Sequence, residues 1–439
     1  MKYYSTNQPQ NIVGMQEAVT ASLPADGGLY MPLSLPKIPA AFVHNMGDMS
    51  LREIAYVTSN VFLGEDFDSS EIKRIVDNAL SFDIPLVEIS ENRFALELFH
   101  GPTGVFKDIG TRFLAGLLEA VNRNDSRKLN VLVSTTGNTG VAVASAFGGM
   151  KGVNVYILYP YGTVSKKTAS IMLASGGNIH AIEVSGGIDD CKKMVSSAFR
   201  DKELRETVML SSANSTNFAR LIPQLALFFY AAGRMANSVK PIRQPFDIAL
   251  PSGNLGMLTA GLMAKHIGLK CGQLIGACNV NNTFDRYMKS GVVESAPTIR
   301  TLAPLMDMPD PSNLPRLMAL AGGDLQKLRS EVSSATVDDD MIVKTIRQTA
   351  LTTGYIADPH TAIAIAALNL RDDKLRPGLV FATAAPSKSA HIINEIIGAE
   401  LLADDSDQIP VNGLRQRAER LAPTYPALKK YLLSHNNNL

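Results

Sequence analysis

At residues 100–108 the chain reads HGPTGVFKD, and this stretch separates a strand pattern from a helix pattern. Upstream, residues 93–99 alternate roughly as a half-buried strand does. The glycines and the proline then break the chain into a turn. Downstream, an apolar residue recurs at every fourth position from Ile109 to Val121, which predicts a helix. Lys107 therefore emerges from a tight apolar loop at the start of a helix.

The position of Lys107 predicts a reactive amine. The first turn of a helix carries a partial positive charge, and an apolar loop stabilises an ammonium group poorly. Both effects lower the pKa of a lysine and favour the nucleophilic amine. The alternative is a surface pair with Asp108 that merely caps the helix. The rest of the chain distinguishes these two interpretations.

The composition describes an ordinary globular protein of two or three domains, with 439 residues and 46% hydrophobic content. The net charge is +1, from 42 basic and 41 acidic residues, so we expect neither a nucleic acid nor a membrane as partner. The expected partner is a small molecule. The three cysteines lack the spacing of a disulfide framework or a metal site, so we expect no metal.

The cellular location is predicted from the absence of two sequence patterns, a signal peptide and a membrane-spanning helix. The first residues lack the apolar core of a signal peptide. The most apolar run, residues 221–233, is shorter than the ~20 residues that span a bilayer, and it is better explained as a buried helix. We therefore expect a cytoplasmic protein.

The chain divides near residue 85. Residues 1–85 predict a small separate unit, with a turn-rich segment at 23–36 and two helices near 51–62 and 70–80. We find no catalytic residue there and interpret Asp26 as a turn residue.

Beyond residue 86, strands alternate with helices. Strands are predicted at 130–134, 153–160, 179–184, 208–212, 246–250 and 379–383, and helices at 165–175, 189–204 and 217–235. This alternation predicts α/β architecture with largely parallel, doubly wound sheets. Ligands of such sheets bind at the carboxyl ends of the strands, where the unusual turns of this sequence lie.

Three of these turns are suited to anions. The sequence reads SGNLG at 252–256, TTGNTG at 135–140 and SSANSTNFAR at 211–220, each between a predicted strand and a predicted helix. Glycine turns and helix starts offer backbone N–H groups to a phosphate or carboxylate, and Arg220 is suited to clamp a phosphate. The alternative for each turn is tight geometry with ordinary helix capping. The nucleotide-binding glycine motifs are absent.

An activated lysine and three anion sites together indicate pyridoxal 5'-phosphate. This cofactor requires a lysine for its aldehyde, a phosphate cup, a partner for O3′ and a partner for the pyridine nitrogen. Thr383, at the end of a predicted strand, is a candidate for the last role. Its hydroxyl would favour a neutral pyridine ring.

These motifs resemble those of the threonine synthases of the longer bacterial and fungal type, among the fold type II pyridoxal enzymes related to the tryptophan synthase β chain. LPADGGLYMP at 23–32 and MDMPDPSN at 306–313 add to the resemblance, which covers nearly the whole chain. The resemblance implies two doubly wound α/β subdomains around a cofactor cleft, roughly 95–220 and 221–439 within a catalytic region 86–439, plus the small N-terminal domain 1–85. It also implies the synthesis of L-threonine from O-phospho-L-homoserine and water, and a monomer or homodimer.

The resemblance assigns the site residues by motif. Lys107 would bind the cofactor aldehyde and act as the catalytic base. Cofactor contacts would come from Asn138 at O3′, from Thr383 at the pyridine nitrogen, and from Gly253, Asn254, Leu255 and Gly256 at the phosphate. The substrate carboxylate would be held by Thr135 and Thr136, and its phosphate by Thr139, Asn214, Ser215 and Arg220.

Two other functions compete with this one. A dehydratase of serine or threonine uses the same cofactor but needs no second anion clamp, so the activity of an Arg220→Ala variant would discriminate between the two. A catalytically silent binding protein on the same fold would not need Lys107.

Overall fold

The computed structural model describes residues 1–123, 125, 127–164, 166–238, 241–242, 244–294, 296–373, 375–403 and 418–436. Its strands are β1 (Lys2–Ser5), β2 (Ile12–Gly14), β3 (Tyr30–Pro32), β4 (Leu86–Ser90), β5 (Arg93–Glu97), β6 (Leu129–Ser134), β7 (Val153–Pro160), β8 (Ile179–Val184), β9 (Met209–Ser212), β10 (Asp247–Pro251), β11 (Leu274–Cys278), β12 (Val332–Thr336), β13 (Gly378–Ala382) and β14 (Glu419–Leu421).

The α-helices are α1 (Met15–Ala21), α2 (Ala40–Asn45), α3 (Leu51–Leu63), α4 (Ser69–Ala79), α5 (Lys107–Asn122), α6 (Asn138–Phe147), α7 (Lys166–Ala174), α8 (Ile188–Arg200), α9 (Lys202–Thr207), α10 (Ile222–Ala236), α11 (Gly256–Ile267), α12 (Thr283–Ser290), α13 (Leu314–Leu320), α14 (Leu325–Glu331), α15 (Asp339–Thr353), α16 (Pro359–Asn369), α17 (Ala390–Ile397) and α18 (Tyr425–Asn436). Short 3₁₀ turns lie at Phe218–Arg220, Pro304–Met306 and Pro386–Ser389.

The strands of the described chain form three sheets. The large sheet has the order β12-β11-β10-β13-β5-β4 and is parallel except for the antiparallel edge strand β4. The small sheet has the order β14-β8-β7-β6-β9 and is parallel throughout. The N-terminal unit has an antiparallel sheet, β2-β1-β3. The doubly wound α/β architecture is therefore confirmed.

Helix α5 connects the two parallel sheets and forms where the sequence predicts it. Its apolar residues Ile109, Phe113 and Leu117 are fully buried, and the helix packs between α4 and α6. Helix α10 is buried nearly all round against α3, α5 and α11, as expected for the most apolar run. Among the described residues, no helix is both long and apolar enough to cross a bilayer.

Several predicted elements differ from the structure. The helix predicted at 189–204 is two helices, α8 and α9, because Asp201 leaves the helical conformation and its carboxylate caps α9. The helix predicted at 217–235 begins only at Ile222, after the 3₁₀ turn that ends at Arg220. The sheet of the N-terminal unit and the strands β11 and β12 were not predicted.

The predicted division of the catalytic region into 95–220 and 221–439 stays a prediction. Two strands pair with strands on the other side of the predicted boundary at residue 220. β5 belongs to the large sheet, where it pairs with β13, and β14 belongs to the small sheet, where it pairs with β8.

Candidate active site

The loop before Lys107 is held in shape by Asp108. The carboxylate of this buried residue accepts hydrogen bonds from the backbone N of Thr103 (2.8 Å) and from its hydroxyl (2.7 Å). Gly101 lies so close that a Cβ there would stand 2.6 Å from Asp108 Oδ2. Gly104 has φ +68°, a conformation that other residues adopt only with strain. The glycines of the motif are therefore required by its tight turn.

Lys107 is the first residue of α5 and is half-buried. Burial of its amine, and secondarily the positive charge of Arg220, lower the pKa of Lys107 from 10.5 to about 8. The predicted reactive amine is thus supported by the surroundings of this residue. Asp108 faces back into the loop rather than pairing with the amine, and burial raises the pKa of its carboxyl.

The loop that precedes Lys107 is hydrogen-bonded to the loop that follows β13. The backbone N of Phe106 donates to the carbonyl of Thr383, and the N of Ala385 donates to the carbonyl of Gly104, both at 2.9 Å. Thr383 itself is buried. Because β5 and β13 are parallel neighbours, both loops leave the same edge of the large sheet. Lys107 and Thr383 are brought together, as the sequence predicted.

The glycine turn 252–256 leaves the same edge. β10, which precedes it, pairs in parallel with β13, and α11 begins at Gly256. Leu255, the residue before the helix, is held at φ +63°, a left-handed conformation that costs a non-glycine residue about 1 kcal/mol or more. The backbone N of Gly256 donates to Asn254 Oδ1 at 2.9 Å. The turn thus has the strained geometry and the helix start that suit a phosphate cup.

The turn 135–140 leaves the small sheet after β6. The hydroxyl of Thr135 accepts hydrogen bonds from the backbone N of Gly137 (3.0 Å) and Gly140 (3.2 Å), so this buried residue caps the turn. Thr136 is exposed, and Asn138 and Thr139 are half-buried in the first turn of α6. The turn therefore contains both a capping hydroxyl and accessible polar groups.

Arg220 ends the 3₁₀ turn after β9 and packs against α5. A Cβ on Gly110 would lie 3.2 Å from its Nε, which places the guanidinium along the helix that starts with Lys107. Nη1 donates to the carbonyl of Ala213 at 2.8 Å, whereas Nε is buried and has no partner among the described residues. Burial lowers the pKa of Arg220 to about 10. Arg220 therefore lies before α10 and not inside the helix predicted at 217–235, because α10 starts two residues later.

Asn214 and Ser215 play different structural parts in this segment. The amide of Asn214 is engaged by the backbone of Ser134, since Oδ1 accepts from its N (3.2 Å) and Nδ2 donates to its carbonyl (3.0 Å). One hydrogen of the Nδ2 group therefore remains for a ligand. Ser215 instead faces the other sheet, and its hydroxyl accepts from Asn254 Nδ2 at 2.9 Å. This contact joins the segment 211–220 of the small sheet to the turn 252–256 of the large sheet.

The assembled groups fit pyridoxal phosphate. An amine with a lowered pKa, a buried hydroxyl and a helix-start turn share one edge of the large sheet. The Nε of Arg220, which has no partner among the described residues, lies against Gly110 on the helix that starts with Lys107. Pyridoxal phosphate requires the amine, the hydroxyl and the helix-start turn. The phosphate of a substrate would supply a partner for the Nε of Arg220.

Comparisons with known proteins agree with this chemistry. Residues 85–384 match the family described as pyridoxal-phosphate dependent enzyme, and residues 2–80 match the threonine synthase N terminus. A threonine synthase from Serratia marcescens is 35% identical over 437 residues, covering 99% of each chain. The chain belongs to the threonine synthase family of pyridoxal-phosphate dependent enzymes.

Solved threonine synthases share the whole fold. The crystal structure of threonine synthase from Escherichia coli matches with a TM-score of 0.90 at 33% identity, covering 99% of this chain and 100% of that one. The PLP-bound threonine synthase from Brucella melitensis matches with a TM-score of 0.88 at 30% identity and covers 100% of both chains. The fold type II architecture and the cofactor that the sequence resemblance implied are thereby confirmed.

Two residues of this threonine synthase fold were missed by the sequence analysis. Asn313 and Arg316 are fully buried beside the site. Asn313 Nδ2 donates to the carbonyl of Asn254 at 3.0 Å, and Arg316 Nη1 donates to the carbonyl of Ser215 at 3.1 Å. An arginine in the first turn of α13, where a cation opposes the helix dipole, was the available sequence signal.

Proposed function

We propose that this protein is a threonine synthase that converts O-phospho-L-homoserine and water into L-threonine and phosphate. The observation that carries this proposal is the buried Nε of Arg220, which has no partner among the described residues and lies against Gly110, one turn along the helix that starts with Lys107. A buried N–H without a partner costs ~1–3 kcal/mol, and a substrate phosphate would supply that partner. The site thus provides an anion clamp in addition to the glycine turn that suits the cofactor phosphate.

The cofactor would be held by groups at the edge of the large sheet. We assign the cofactor phosphate to the backbone of Gly253, Asn254, Leu255 and Gly256, O3′ to Asn138 and the pyridine nitrogen to Thr383. Pyridoxal phosphate, when bound, supplies an electron sink for negative charge that develops on the substrate carbon skeleton.

Lys107 has two tasks in this proposal. Its amine binds the cofactor aldehyde in the resting enzyme, and once released it takes the proton from the substrate Cα. With a pKa of about 8, roughly a quarter of such amines are neutral at pH 7.5, against about one in a thousand at a pKa of 10.5. The surroundings of Lys107 therefore favour the form that acts as nucleophile and base.

Arg220 acts at the other end of the substrate. After Cα and Cβ have each lost a proton, the bond between Cγ and the phosphate oxygen breaks, and its electron pair leaves with the phosphate. Arg220, with Thr139, Asn214 and Ser215, would bind that phosphate and stabilise the departing charge. Protons return at Cγ, which becomes the methyl group, and at Cα, while the hydroxyl of water is added at Cβ.

The substrate carboxylate is assigned to the turn 135–140. Thr135 and Thr136 both have hydroxyl hydrogens to donate, although the oxygen of Thr135 already accepts two backbone hydrogen bonds. We also propose a monomeric or homodimeric protein of the cytoplasm that binds no nucleic acid, in agreement with a net charge of +1.

The test is an assay of purified protein with pyridoxal phosphate and O-phospho-L-homoserine. We expect equal amounts of phosphate and L-threonine, and an absorbance band of lysine-bound cofactor. Lys107→Ala should abolish both. Lys265→Ala is the matched control, because Lys265 is also half-buried but lies at the far end of α11, where it donates to the carbonyl of Gly272. Release of phosphate without threonine would contradict the proposal.

A further inference from the structure

We propose that Arg316 is a positioning residue, which holds Ser215 in the orientation that binds the substrate phosphate and joins the N-terminal unit to that site. The inference rests on the proposed function and concerns a residue that touches neither substrate nor cofactor. It explains two sequence motifs that the chemistry leaves unused, residues 23–32 and 306–313.

The guanidinium of Arg316 is fully buried, and each of its five N–H groups has an acceptor. Nε donates to the carbonyl of Tyr30 at 3.2 Å. Nη2 donates to the carbonyls of Tyr30 (3.1 Å) and Thr216 (2.7 Å), and Nη1 to the carbonyl of Ser215 (3.1 Å) and to Asn313 Oδ1 (2.8 Å). Three segments far apart in the chain therefore meet on one planar group.

These contacts are made at an energetic cost. No carboxylate of the described residues pairs with Arg316, and burial lowers its pKa to about 9. A buried cation without a counter-ion is expensive, and carbonyl dipoles offset that cost only when every donor is used. Lysine, with three donors on a flexible stem, could not reproduce this arrangement. The arginine is thus suited to fixing the positions of the segments that it joins.

The contacts of Ser215 fix the direction in which its hydroxyl hydrogen points. The carbonyls of Ser215 and Thr216 point at Arg316, and the hydroxyl of Ser215 faces Asn254. The backbone N of Gly256 can only donate, so the atom of Asn254 that it meets is Oδ1, and Nδ2 is left to donate to Ser215 Oγ. Ser215 is therefore an acceptor toward the cup, and its own hydrogen has no acceptor among the described residues. That hydrogen remains for a phosphate.

The N-terminal unit supports the same segment at other points. Asn217 Nδ2 donates to the carbonyl of Val19 at 3.0 Å, and Phe218 packs edge-on against Tyr3 with ring centroids 5.1 Å apart. Through the carbonyl of Tyr30, Arg316 completes this attachment. The turn-rich motif at 23–32 therefore contributes to substrate binding through its backbone, without a catalytic residue of its own.

The test is a double-mutant cycle on the cofactor-loaded full chain, with Arg316→Lys, Ser215→Ala and both together. The readouts are KM and kcat for O-phospho-L-homoserine and the calorimetric Kd of inorganic phosphate. We expect Arg316→Lys to raise KM and Kd roughly tenfold, as the loss of one charge-assisted hydrogen bond would, with a smaller change in kcat. In the Ser215→Ala background the same change should have little further effect.

Arg371→Lys is the matched control. The side chain of Arg371 is only 8% exposed and pairs with Asp247 at 2.7 Å, at the opposite end of β10 from the site. It should lower the melting temperature and leave KM and Kd unchanged. Additive effects of Arg316→Lys and Ser215→Ala, or an unchanged phosphate Kd in Arg316→Lys, would overturn the inference. Either result could occur while wild-type protein still makes threonine, so the proposed function is tested separately.

Discussion

Two buried arginines lie on either side of the segment 213–220, and they differ in one respect. Arg316 is 0% exposed and Arg220 is 4% exposed, and neither forms an ion pair within the described chain. Arg316 uses all five of its N–H groups on protein acceptors. Within the residues that the structure describes, Arg220 donates only to the carbonyl of Ala213, and its buried Nε has no partner.

The difference separates a residue that organises a site from one that binds a ligand. Folded proteins leave few buried donors unpaired, because each one costs free energy. A saturated guanidinium is accounted for by the fold alone. An unsaturated one is destabilising in the empty site, and a bound anion offsets that cost. An unpaired Nε alone does not indicate a ligand site, because Arg371 also has one among the described residues. At Arg220 the unpaired Nε lies along the helix that starts with Lys107, and this position favours a role in binding.

The largest expected effect is on stability, and it contrasts the two arginines directly. Arg316→Met leaves the buried carbonyl of Tyr30 and the partly buried carbonyls of Ser215 and Thr216 without this donor, so we expect a loss of about 3–5 kcal/mol in the free energy of unfolding. Arg220→Met removes an incompletely paired buried charge, so we expect a change near zero or a stabilisation. Urea unfolding without phosphate measures both. Equal losses in the two variants would contradict the comparison.

The next largest effect is on catalysis, and here the substitution of Arg220 is the damaging one. Arg220→Gln keeps the side chain polar but removes the charge that would stabilise the departing phosphate. We expect kcat/KM for O-phospho-L-homoserine to fall about 10²–10³-fold, the usual cost of one donor to a developing negative charge. Phosphate release measures it, with Arg371→Gln as the control away from the site. A fall of less than about threefold would mean that Arg220 does not clamp the phosphate.

Much of the fold could be predicted, because local patterns determine it. The bounds predicted for β7 and β8 agree with the structure, since both are continuous apolar or alternating runs between turn residues. The strand, turn and helix around Lys107 also form as expected. β11 and β12 were missed because a short strand such as LIGAC resembles a piece of buried helix.

The missed parts of the site depend on contacts between distant residues. Arg316 binds the carbonyl of Tyr30, which is 286 residues away in sequence. Any residue type presents a carbonyl, so such a partner has no signature in the sequence. The start of α10 was placed too early for a local reason. Pro223, at the second helical position, suits a helix start and indicates that the helix begins near residue 222.

The pH dependence of cofactor uptake tests the link between Arg220 and Lys107. The neutral amine attacks the aldehyde, and its pKa is about 8, so the uptake rate of cofactor-free protein should rise with pH and level off above about pH 8. Arg220 contributes part of that lowering by its charge, and burial contributes more. Arg220→Gln should therefore move the midpoint to higher pH while keeping it below 10.5. Absorbance after rapid mixing measures the rate. If the midpoint were the same in the variant, Arg220 would not contribute to the lowered pKa of Lys107.

The smallest expected effects extend the comparison to the two threonines of the turn 135–140. The oxygen of Thr135 accepts two backbone hydrogen bonds, whereas Thr136 is exposed. Thr135→Ala should therefore lower the unfolding free energy by about 1 kcal/mol, as the loss of a helix cap does. Thr136→Ala should leave stability unchanged and raise KM by roughly fivefold, less than the loss of a buried hydrogen bond to a charged group would, because Thr136 is exposed to water. Thr135→Ser, which keeps the capping oxygen, should restore the stability. If Thr135→Ala left the unfolding free energy unchanged, the oxygen of Thr135 would not support the turn, and its two accepted hydrogen bonds would not distinguish the two threonines.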